Sequence, residues 1–267
     1  MSSFLFIINQ PTYNIILDYI KAITYKNNLT KTNYNLIIVN KNYTPNFKNI
    51  IIDINKINPD VIIYFSEGDM KGFDNLTKIN ILYKHFTDKL FYLNLEQTTR
   101  KNILNFIIKI NKFFPNINLI DYSSSNILLL NNYINKDIQL IDYPKCEYEI
   151  FNYPKIYDIA CIKFKNSKSK RRKKIYYDMI NAGLNVIDIE GWGKERDNIL
   201  FRCKILVNIH FHDNYNIFEE IRCNRCIYNN MIVISENCSF SDKIKLQNKI
   251  KFCKYDDIIN TIKIQLI

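Results

Sequence analysis

The chain has 267 residues, of which 47% are hydrophobic and 24% are charged, and its formal net charge is +11. These values are ordinary for a protein that buries a core, so they exclude a collagen, a coiled coil and a wholly disordered tail. The chain holds 50 Ile, 38 Asn and 30 Lys against 3 Ala and 5 Gly, a skew toward AT-rich codons that indicates an AT-rich microbe or a large DNA virus as the source.

Most of the excess positive charge lies in one segment. Residues 1–150 carry 16 basic and 13 acidic side chains, and residues 151–267 carry 21 and 13. Eight of those 21 fall in Lys163–Lys174, so the second half is neutral without this basic segment. Six of the seven arginines lie between Arg171 and Arg225, and arginine binds phosphate through two parallel hydrogen bonds. We therefore expect a local anion site rather than a generally basic surface.

The cysteines and the apolar runs favour a protein of the cytoplasm. Seven cysteines without a regular spacing are typical of reduced, mostly buried thiols. The apolar stretch near the start is too short for a secretory signal, and no apolar run reaches the roughly 18 residues of a membrane span. We expect no membrane span, and a location in the cytoplasm, in the host cell or in the virion if the source is viral.

The first 150 residues alternate short apolar runs with longer amphipathic stretches. Strands are predicted at residues 4–9, 34–40, 60–65, 89–95, 118–122 and 138–143, and helices at residues 12–25, 99–113 and 124–133. The strands are apolar on both faces, which is typical of a parallel sheet that helices cover on both sides.

The same alternation starts again after a turn-rich stretch between Pro144 and Pro154. Strands are predicted at residues 157–162, 184–189, 204–210, 231–235 and 249–253, with helices at residues 173–182, 196–203, 217–228 and 256–265. The sequence therefore predicts an α/β protein of two Rossmann-like βα domains in tandem, residues 1–150 and 151–267, with mostly parallel sheets facing a cleft. In such open sheets ligands bind outside the carboxyl ends of the strands.

Unusual residues stand at the strand-to-helix junctions of the second domain. The basic segment ends at a helix start, where Arg171 and Arg172 are suited to bind phosphate. A solvated loop and a nucleic-acid patch are the alternatives for this segment. Gly191 and Trp192 follow the next strand, and a glycine retained against the codon bias indicates a backbone that bends or approaches a ligand. A plain turn is the alternative there.

The central strand of the second domain and the helix after it carry five further candidates. His210 and His212 end the strand at alternate positions, which predicts that both rings point to one side, where they can donate to a diphosphate or transfer protons. The helix places Glu219, Arg222 and Arg225 on one face. We expect Arg222 near phosphate and Glu219 at a sugar or ribose hydroxyl, with an ion pair between the two as the alternative.

The two histidines, followed by Cys223 and Cys226, could supply four zinc ligands. These cysteines would lie inside a helix, however, without a second cysteine pair and without a turn glycine. We therefore expect no metal site.

The order of these segments resembles glycosyltransferases of the GT-B fold, in particular the group-1-like set. The resemblance rests on YDIACI, the basic loop, GLNV, KILVNIHF, IFEEIR and MIVISE, between about Tyr157 and Glu236. It implies transfer of a sugar from a nucleotide-diphospho-sugar to a hydroxyl of a glycan or protein. The first domain would face the acceptor and the second would bind the donor. No cofactor is implied besides this co-substrate, because basic side chains and a helix N-terminus would stabilise the leaving diphosphate without a metal.

The resemblance matches Arg171, Arg172, His210, Glu219 and Arg222 to positions of the set, and the other candidates below come from the sequence itself. The catalytic candidates are His210, which matches the strand-end histidine of the set, and Glu96, which ends a predicted strand and has a surface carboxylate as its alternative role. The residues expected to bind the donor are Arg171, Arg172, Gly191, Trp192, His212, Glu219, Arg222 and Arg225. The wider fold has a ribose-binding Glu where this chain has Arg225, which leaves the identity of the nucleotide open.

Two alternative functions stay open beside sugar transfer. One is a non-catalytic relic of the same fold that binds a nucleotide or a glycan. The other is a nucleic-acid-binding protein that uses the basic segment, although we do not expect nucleic acid to be the partner.

Overall fold

The computed structural model describes residues 2–9, 14, 16–39, 47, 49–65 and 73–267. The chain divides into two compact units, Met1–Asp142 and Tyr143–Ile267, whereas the sequence placed the boundary at residue 150. The difference arises because the segment after Asp142 packs on the second unit, where Tyr143 and Glu149 both contact the buried side chain of Arg225. Within the described residues, no helix is both long enough and apolar enough to cross a membrane.

The first unit is built on one parallel sheet. Its strands are β1 (Phe4–Asn9), β2 (Tyr34–Val39), β3 (Val61–Phe65), β4 (Leu90–Asn94), β5 (Asn118–Asp121) and β6 (Ile138–Leu140). Its helices are α1 (Leu17–Lys26), α2 (Asn49–Ile57), α3 (Phe73–Phe86), α4 (Lys101–Phe113) and α5 (Ser124–Leu130). The strand order is β2-β1-β3-β4-β5-β6, and all neighbouring strands run parallel.

All six strands of the first unit confirm the prediction, but the sequence indicated neither α2 nor α3. Helix α2 has the sequence NIIIDINKI, and its β-branched isoleucines have a low helix propensity. Packing decides the outcome, because Ile50 and Ile54 lie one helical turn apart and are buried in the core. The predicted start of the first helix, at Thr12, lies outside the described residues.

The second unit repeats this architecture with five strands. They are β7 (Tyr157–Ile162), β8 (Val186–Ile189), β9 (Cys203–Asn208), β10 (Ile232–Glu236) and β11 (Ile250–Cys253). The helices are α6 (Lys170–Asn181), α7 (Gly193–Leu200), α8 (Glu220–Tyr228) and α9 (Ile258–Leu266). The order is β11-β10-β9-β7-β8, again parallel throughout. Every element predicted for this unit is present, and the two parallel sheets confirm the predicted fold class.

Apolar layers cover both faces of the second sheet. One layer, on the side of α7 and α8, includes Phe201, Leu206 and Phe218. The other, on the side of α6 and α9, includes Ile205 and Ile262. The first and third strands of this unit, β7 and β9, are neighbours, so their connections leave the sheet in opposite directions. In doubly wound sheets this switch point forms a crevice at the carboxyl edge, where ligands bind.

Candidate functional site

The crevice of the second unit lies between the carboxyl ends of β7 and β9. The loops at this edge are residues 163–169 after β7, residues 190–192 after β8 and residues 209–219 after β9. They hold four of the eight residues that the sequence assigned to the donor, and the other four lie on the helices that follow the first and third of these loops. The fold therefore brings loops that are far apart in the chain to one edge of one sheet.

The loop after β7 is fixed by hydrogen bonds to its neighbours. The carboxylate of Asp188, on β8, accepts a hydrogen bond from the backbone N–H of Phe164 at 2.8 Å. Ser169 is the N-cap of α6, and its hydroxyl accepts from the N–H of Arg172 at 3.4 Å. The same hydroxyl donates to the carbonyl of Phe211 at 2.7 Å. These bonds orient the first turn of α6, which carries both arginines of the basic segment.

Arg172 is half-buried and extends toward the end of β9. Its Nε donates to the carbonyl of Ile209 at 2.8 Å, and its guanidinium carbon lies 5.5 Å from the ring centre of Phe164. Among the residues that the structure describes, its two outer nitrogens meet no hydrogen-bond acceptor. Burial, and then the positive charge of Arg222, lower the pKa of Arg172 to about 10. A charge that is costly to hold, with unused donors, is the arrangement expected of an anion site.

The positive charge of Arg222 acts on both Arg172 and Lys163, and we call Lys163, Arg172 and Arg222 the basic cluster. The ammonium of Lys163 lies 3.8 Å from the ring centre of Trp192. Burial lowers the pKa of Lys163; the negative charge of Glu190 opposes this shift, and the positive charge of Arg222 adds to it. Lys163 also has a φ of 57°, a left-handed backbone that is uncommon for a non-glycine residue and is found most often at functional sites. Because Arg222 repels both of the other cations, a bound anion would reduce the repulsion within the basic cluster.

Arg171 does not join the basic cluster. Its guanidinium binds the carboxylate of Glu236, at the end of β10, through two hydrogen bonds, of which one is 3.0 Å long. It also pairs with Asp213 at 2.6 Å and lies 4.5 Å from the ring centre of Tyr255. Successive residues of a helix point about 100° apart. The structure thus separates Arg172, at the crevice, from Arg171, which the sequence placed beside it.

The two histidines are separated as well. β9 ends at Asn208, so the alternation of a strand does not extend to residues 210 and 212. His210 is only 3% exposed; its Nε2 bonds to the carbonyl of Asn237 at 2.9 Å, and its backbone N–H bonds to Glu236 at 3.2 Å. Burial lowers the pKa of His210, which keeps the ring neutral at pH 7. His212 is exposed, so the prediction that both rings point to one side is wrong.

Helix α8 divides its predicted ligand residues between the crevice and the interior. Glu219 is the N-cap residue and is half-buried, and its negative charge favours the protonated form of Arg172. Arg225 is only 2% exposed, and its guanidinium bonds to Asp197 at 2.7 and 3.2 Å and to Glu149 at 2.8 Å. The structure therefore does not bring Arg225 to the crevice, because its charge is matched by two carboxylates in the interior.

Two glycines frame Trp192 at the start of α7. Gly191 has a φ of 87° and Gly193 a φ of 56°, both in the left-handed region. A β-carbon at Gly191 would meet only the Oε2 atom of Glu195, at 3.7 Å, so the backbone conformation rather than crowding requires a glycine. The turn holds the indole ring against the ammonium of Lys163.

The cysteines of α8 are buried. Burial raises the pKa of the Cys226 thiol to about 12 and that of Cys223 well above its usual value. In the part of the chain that the structure describes, no group of three or more His, Cys, Asp or Glu side chains is placed to hold a metal ion.

In the first unit, Glu96 lies on the loop after β4, and its carboxylate bonds to Arg100 at 2.7 Å. The side-chain amides of Asn94 and Asn126 donate to its backbone carbonyl, at 2.7 and 3.0 Å. The same two amides donate to the carboxylate of Asp121, at 2.7 and 2.9 Å. Asp121 is fully buried, and burial raises its pKa to about 7. A buried carboxylate thus fixes the loop that carries the predicted base.

Sequence reasoning missed Asp121 and Glu236, which are the last residues of β5 and β10. Both follow apolar strand residues, in NLID and MIVISE, and a carboxylate at the carboxyl end of a parallel strand stands where such sheets bind ligands. That signal is visible in the sequence.

Comparisons with known proteins give viral relatives. No protein-family model matches the chain. The chain is 34% identical to the uncharacterized protein L140 of Acanthamoeba polyphaga mimivirus over 218 residues, which are 75% of this chain and 70% of that protein. It is also 34% identical to protein L138 and 33% identical to protein L137 of the same virus, over 68% and 70% of this chain. Those matches span 21% of L138 and 26% of L137. A virus is one of the two sources that the composition indicated.

One solved structure resembles the whole chain. It is an alpha-glucosyltransferase in complex with UDP-glucose and DNA containing an abasic site. The match covers 99% of this chain and 89% of that one, with a TM-score of 0.55 and 7% sequence identity. At this identity the likeness shows the fold alone, and together with the two parallel sheets it establishes a GT-B-like fold.

Proposed function

The chain belongs to the family of the mimivirus protein L140, and we propose that it is a glycosyltransferase that moves a sugar from a nucleotide-diphospho-sugar to a hydroxyl group. The GT-B-like fold supports this class of reaction. The basic cluster in the crevice of the second unit supports the class of donor. We propose a glycan or a protein as the acceptor.

One observation carries the proposal, namely the basic cluster at the crevice and the donors that Arg172 leaves unused there. Lys163, Arg172 and Arg222 come together at the switch point, and the outer nitrogens of Arg172 have no acceptor among the described residues. A diphosphate offers several negative oxygens, which a guanidinium binds in pairs. Each hydrogen bond to a charged group contributes about 1.5–3 kcal/mol, so a diphosphate satisfies this cluster better than a neutral ligand does.

The cluster would act on the leaving group of the reaction. The bond between the anomeric carbon of the sugar and the β-phosphate oxygen breaks, and its electron pair leaves with the diphosphate. The acceptor oxygen forms a new bond to the anomeric carbon and gives its proton to a base. Lys163, Arg172 and Arg222 would stabilise the negative charge that grows on the diphosphate. We propose that these three cations make a divalent metal unnecessary.

Other residues would support this reaction. Trp192 would form the wall of the crevice on the β8 side, and Glu219 would accept a hydrogen bond from a sugar or ribose hydroxyl. His210 is buried and anchored at both its ring and its backbone, so we assign it to positioning the loop after β9 rather than to proton transfer. Glu96 is the proposed base, because it offers a carboxylate on a fixed loop in the first unit.

Nucleic-acid binding through the basic segment has an observation of its own. Three of its basic residues are half-buried, whereas five lysines are exposed: Lys165, Lys168, Lys170, Lys173 and Lys174. Replacing the first four by glutamine is expected to leave nucleotide-sugar affinity unchanged. Binding of DNA or RNA with an affinity that falls steeply with salt would favour nucleic-acid binding as the function. The slope of log K against log salt concentration should then become shallower by about 0.9 for each lysine removed.

A thermal-shift panel of UDP-, GDP- and ADP-sugars tests the proposed function. A ligand at 100 times its dissociation constant adds about 2.7 kcal/mol to the stability of the fold. We expect at least one nucleotide sugar to raise the unfolding temperature, with or without EDTA, and we expect Arg172→Met to reduce the rise.

Arg202→Met is the matched control. Arg202 likewise makes one bond from Nε to a carbonyl, that of Asn198 at 3.1 Å. Its guanidinium carbon lies 4.7 Å from the ring centre of Tyr153, whereas Arg172 lies near two rings. If no nucleotide sugar raises the unfolding temperature and no donor is hydrolysed, the proposed function is wrong. A rise without any hydrolysis or transfer favours the non-catalytic relic.

A further inference from the structure

An exposed aromatic ring lies beside the basic cluster on the β9 side. Phe211 is 41% exposed, although it follows the buried His210 directly. Its ring centre is 5.7 Å from the guanidinium carbon of Arg172. Its ring is nearly parallel to that of Tyr215, at 16°, with the ring centres 6.5 Å apart. Part of the Phe211 ring is therefore open to solvent next to the guanidinium of Arg172.

Two anchors fix the loop that presents this ring. The hydroxyl of Ser169 donates to the carbonyl of Phe211 at 2.7 Å. The carboxylate of Asp213 pairs with Arg171 at 2.6 Å. Both partners belong to the start of α6, the same turn that carries Arg172. The position of the Phe211 ring relative to the guanidinium of Arg172 is therefore set by the fold.

The side chains along the carboxyl edge follow the order of groups in a nucleotide-diphospho-sugar. The strand order β8-β7-β9 places Trp192 first, then Lys163 and Arg172, and then Phe211. This is a ring, two cations and a ring. The ligand likewise has a base, which a ribose joins to a diphosphate, and a sugar ring on the other side of the diphosphate. A diphosphate on the two cations would therefore place one ring of the ligand next to Phe211.

The surroundings of Phe211 suit the sugar better than the base. A hexose ring has an apolar C–H face and a rim of hydroxyl groups. The aromatic surface of Phe211 can pack against the apolar face of the hexose. The exposed side chains of His212 and Asp213 beside it can form hydrogen bonds with the hydroxyl groups at the rim of the hexose. Glu219, which favours the charged form of Arg172, lies at the other end of the same loop.

We propose that Phe211 is the surface on which the sugar ring of the donor packs. It would thereby determine the preference for nucleotide-diphospho-sugars over nucleoside diphosphates. This inference rests on the proposed function, because it requires a diphosphate at Arg172.

Calorimetric titration of three probes tests the inference: pyrophosphate, UDP and UDP-glucose, with GDP and GDP-mannose as a second pair. Phe211→Ala is expected to weaken the binding of the nucleotide sugar about three- to tenfold, which matches the contribution of one aromatic contact. It should leave pyrophosphate and the nucleoside diphosphate unchanged, because both lack the sugar. Phe211→Tyr keeps the ring and should retain the affinity. Tyr177→Ala, at an exposed aromatic on α6 (48% exposed), is the control and should change nothing.

Several outcomes overturn the inference. An equal loss for UDP and UDP-glucose means that the ring holds the base, and unchanged affinities mean that it holds nothing. If pyrophosphate binding falls as well, Phe211 supports Arg172 rather than the sugar. Wild-type protein that binds neither nucleotide pair contradicts the proposed function itself, a result distinct from the others.

Discussion

Replacing Arg172 with methionine is expected to weaken anion binding without destabilising the fold. The folded state lowers the pKa of Arg172 from 12.5 to about 10, and one pKa unit corresponds to about 1.36 kcal/mol. Holding this charge in the folded chain therefore costs on the order of 3 kcal/mol. Methionine removes that cost, but it leaves the carbonyl of Ile209 without its donor at 2.8 Å, a loss of about 1–3 kcal/mol. The free energy of unfolding should stay within about 1 kcal/mol of the wild-type value or rise.

The same substitution removes the two outer nitrogens of Arg172 from the crevice. One lost hydrogen bond to a charged group corresponds to about 1.5–3 kcal/mol. The dissociation constant for pyrophosphate or UDP should therefore rise roughly ten- to hundredfold. Urea denaturation measures the stability, and calorimetric titration measures the affinity. Arg202→Met should lose about 1 kcal/mol of stability and keep the wild-type affinity.

Either of two results would refute this reasoning. If Arg172→Met loses more than about 2 kcal/mol of stability, Arg172 is a structural residue whose charge is compensated. If the variant binds pyrophosphate as tightly as the wild-type protein does, Arg172 is not part of an anion site.

Three other substitutions separate structural roles from binding roles. Glu236→Gln is expected to lower the free energy of unfolding by about 2–3 kcal/mol, because Arg171 loses one of its two carboxylate partners; a denaturant double-mutant cycle with Arg171→Met should show coupling, and its absence would contradict the pairing. Arg225→Met should cost about 3 kcal/mol in urea denaturation, because Glu149 loses its arginine and Asp197 is left with Arg196; unchanged stability would count against this. Asp121→Asn should flatten the pH dependence of unfolding. The folded state raises the pKa of Asp121 from 3.8 to about 7, so its stabilisation is fully present below the unfolded pKa and is lost as the pH rises from there through the folded pKa. Within this window the wild-type stability should fall by roughly 1 kcal/mol per pH unit relative to the variant, and parallel pH profiles for wild type and variant would contradict it.

The elements of the second unit were predictable because their signals are local. The run YDIACI is apolar enough to be a buried strand, and it forms β7 over Tyr157–Ile162. The following helix was predicted from residue 173, and it begins at Lys170 because Ser169 caps it. The basic run at residues 170–174 has no apolar periodicity, so the start of the helix was hidden by the same charges that drew attention to the segment.

The directions of side chains were not predictable from the sequence, because they depend on distant partners. Arg225 has a suitable spacing for a ligand face, yet it binds Asp197 and Glu149, which lie 28 and 76 residues away. Arg171 and Arg172 are neighbours, yet Arg171 is drawn to Glu236, 65 residues away. Residue types and junctions locate the crevice, whereas long-range ion pairs decide which charges remain open to it.

The release of a nucleoside diphosphate from a nucleotide sugar tests the central claim most directly. Wild-type protein, incubated with each donor of the panel with and without glycan or protein acceptors, should release the diphosphate and either free or transferred sugar. Arg172→Met should slow this release about a hundredfold, the effect of removing one donor to a developing anion, and Arg202→Met should not slow it. No release from any donor by the folded wild-type protein, or equal release by Arg172→Met, would contradict the account.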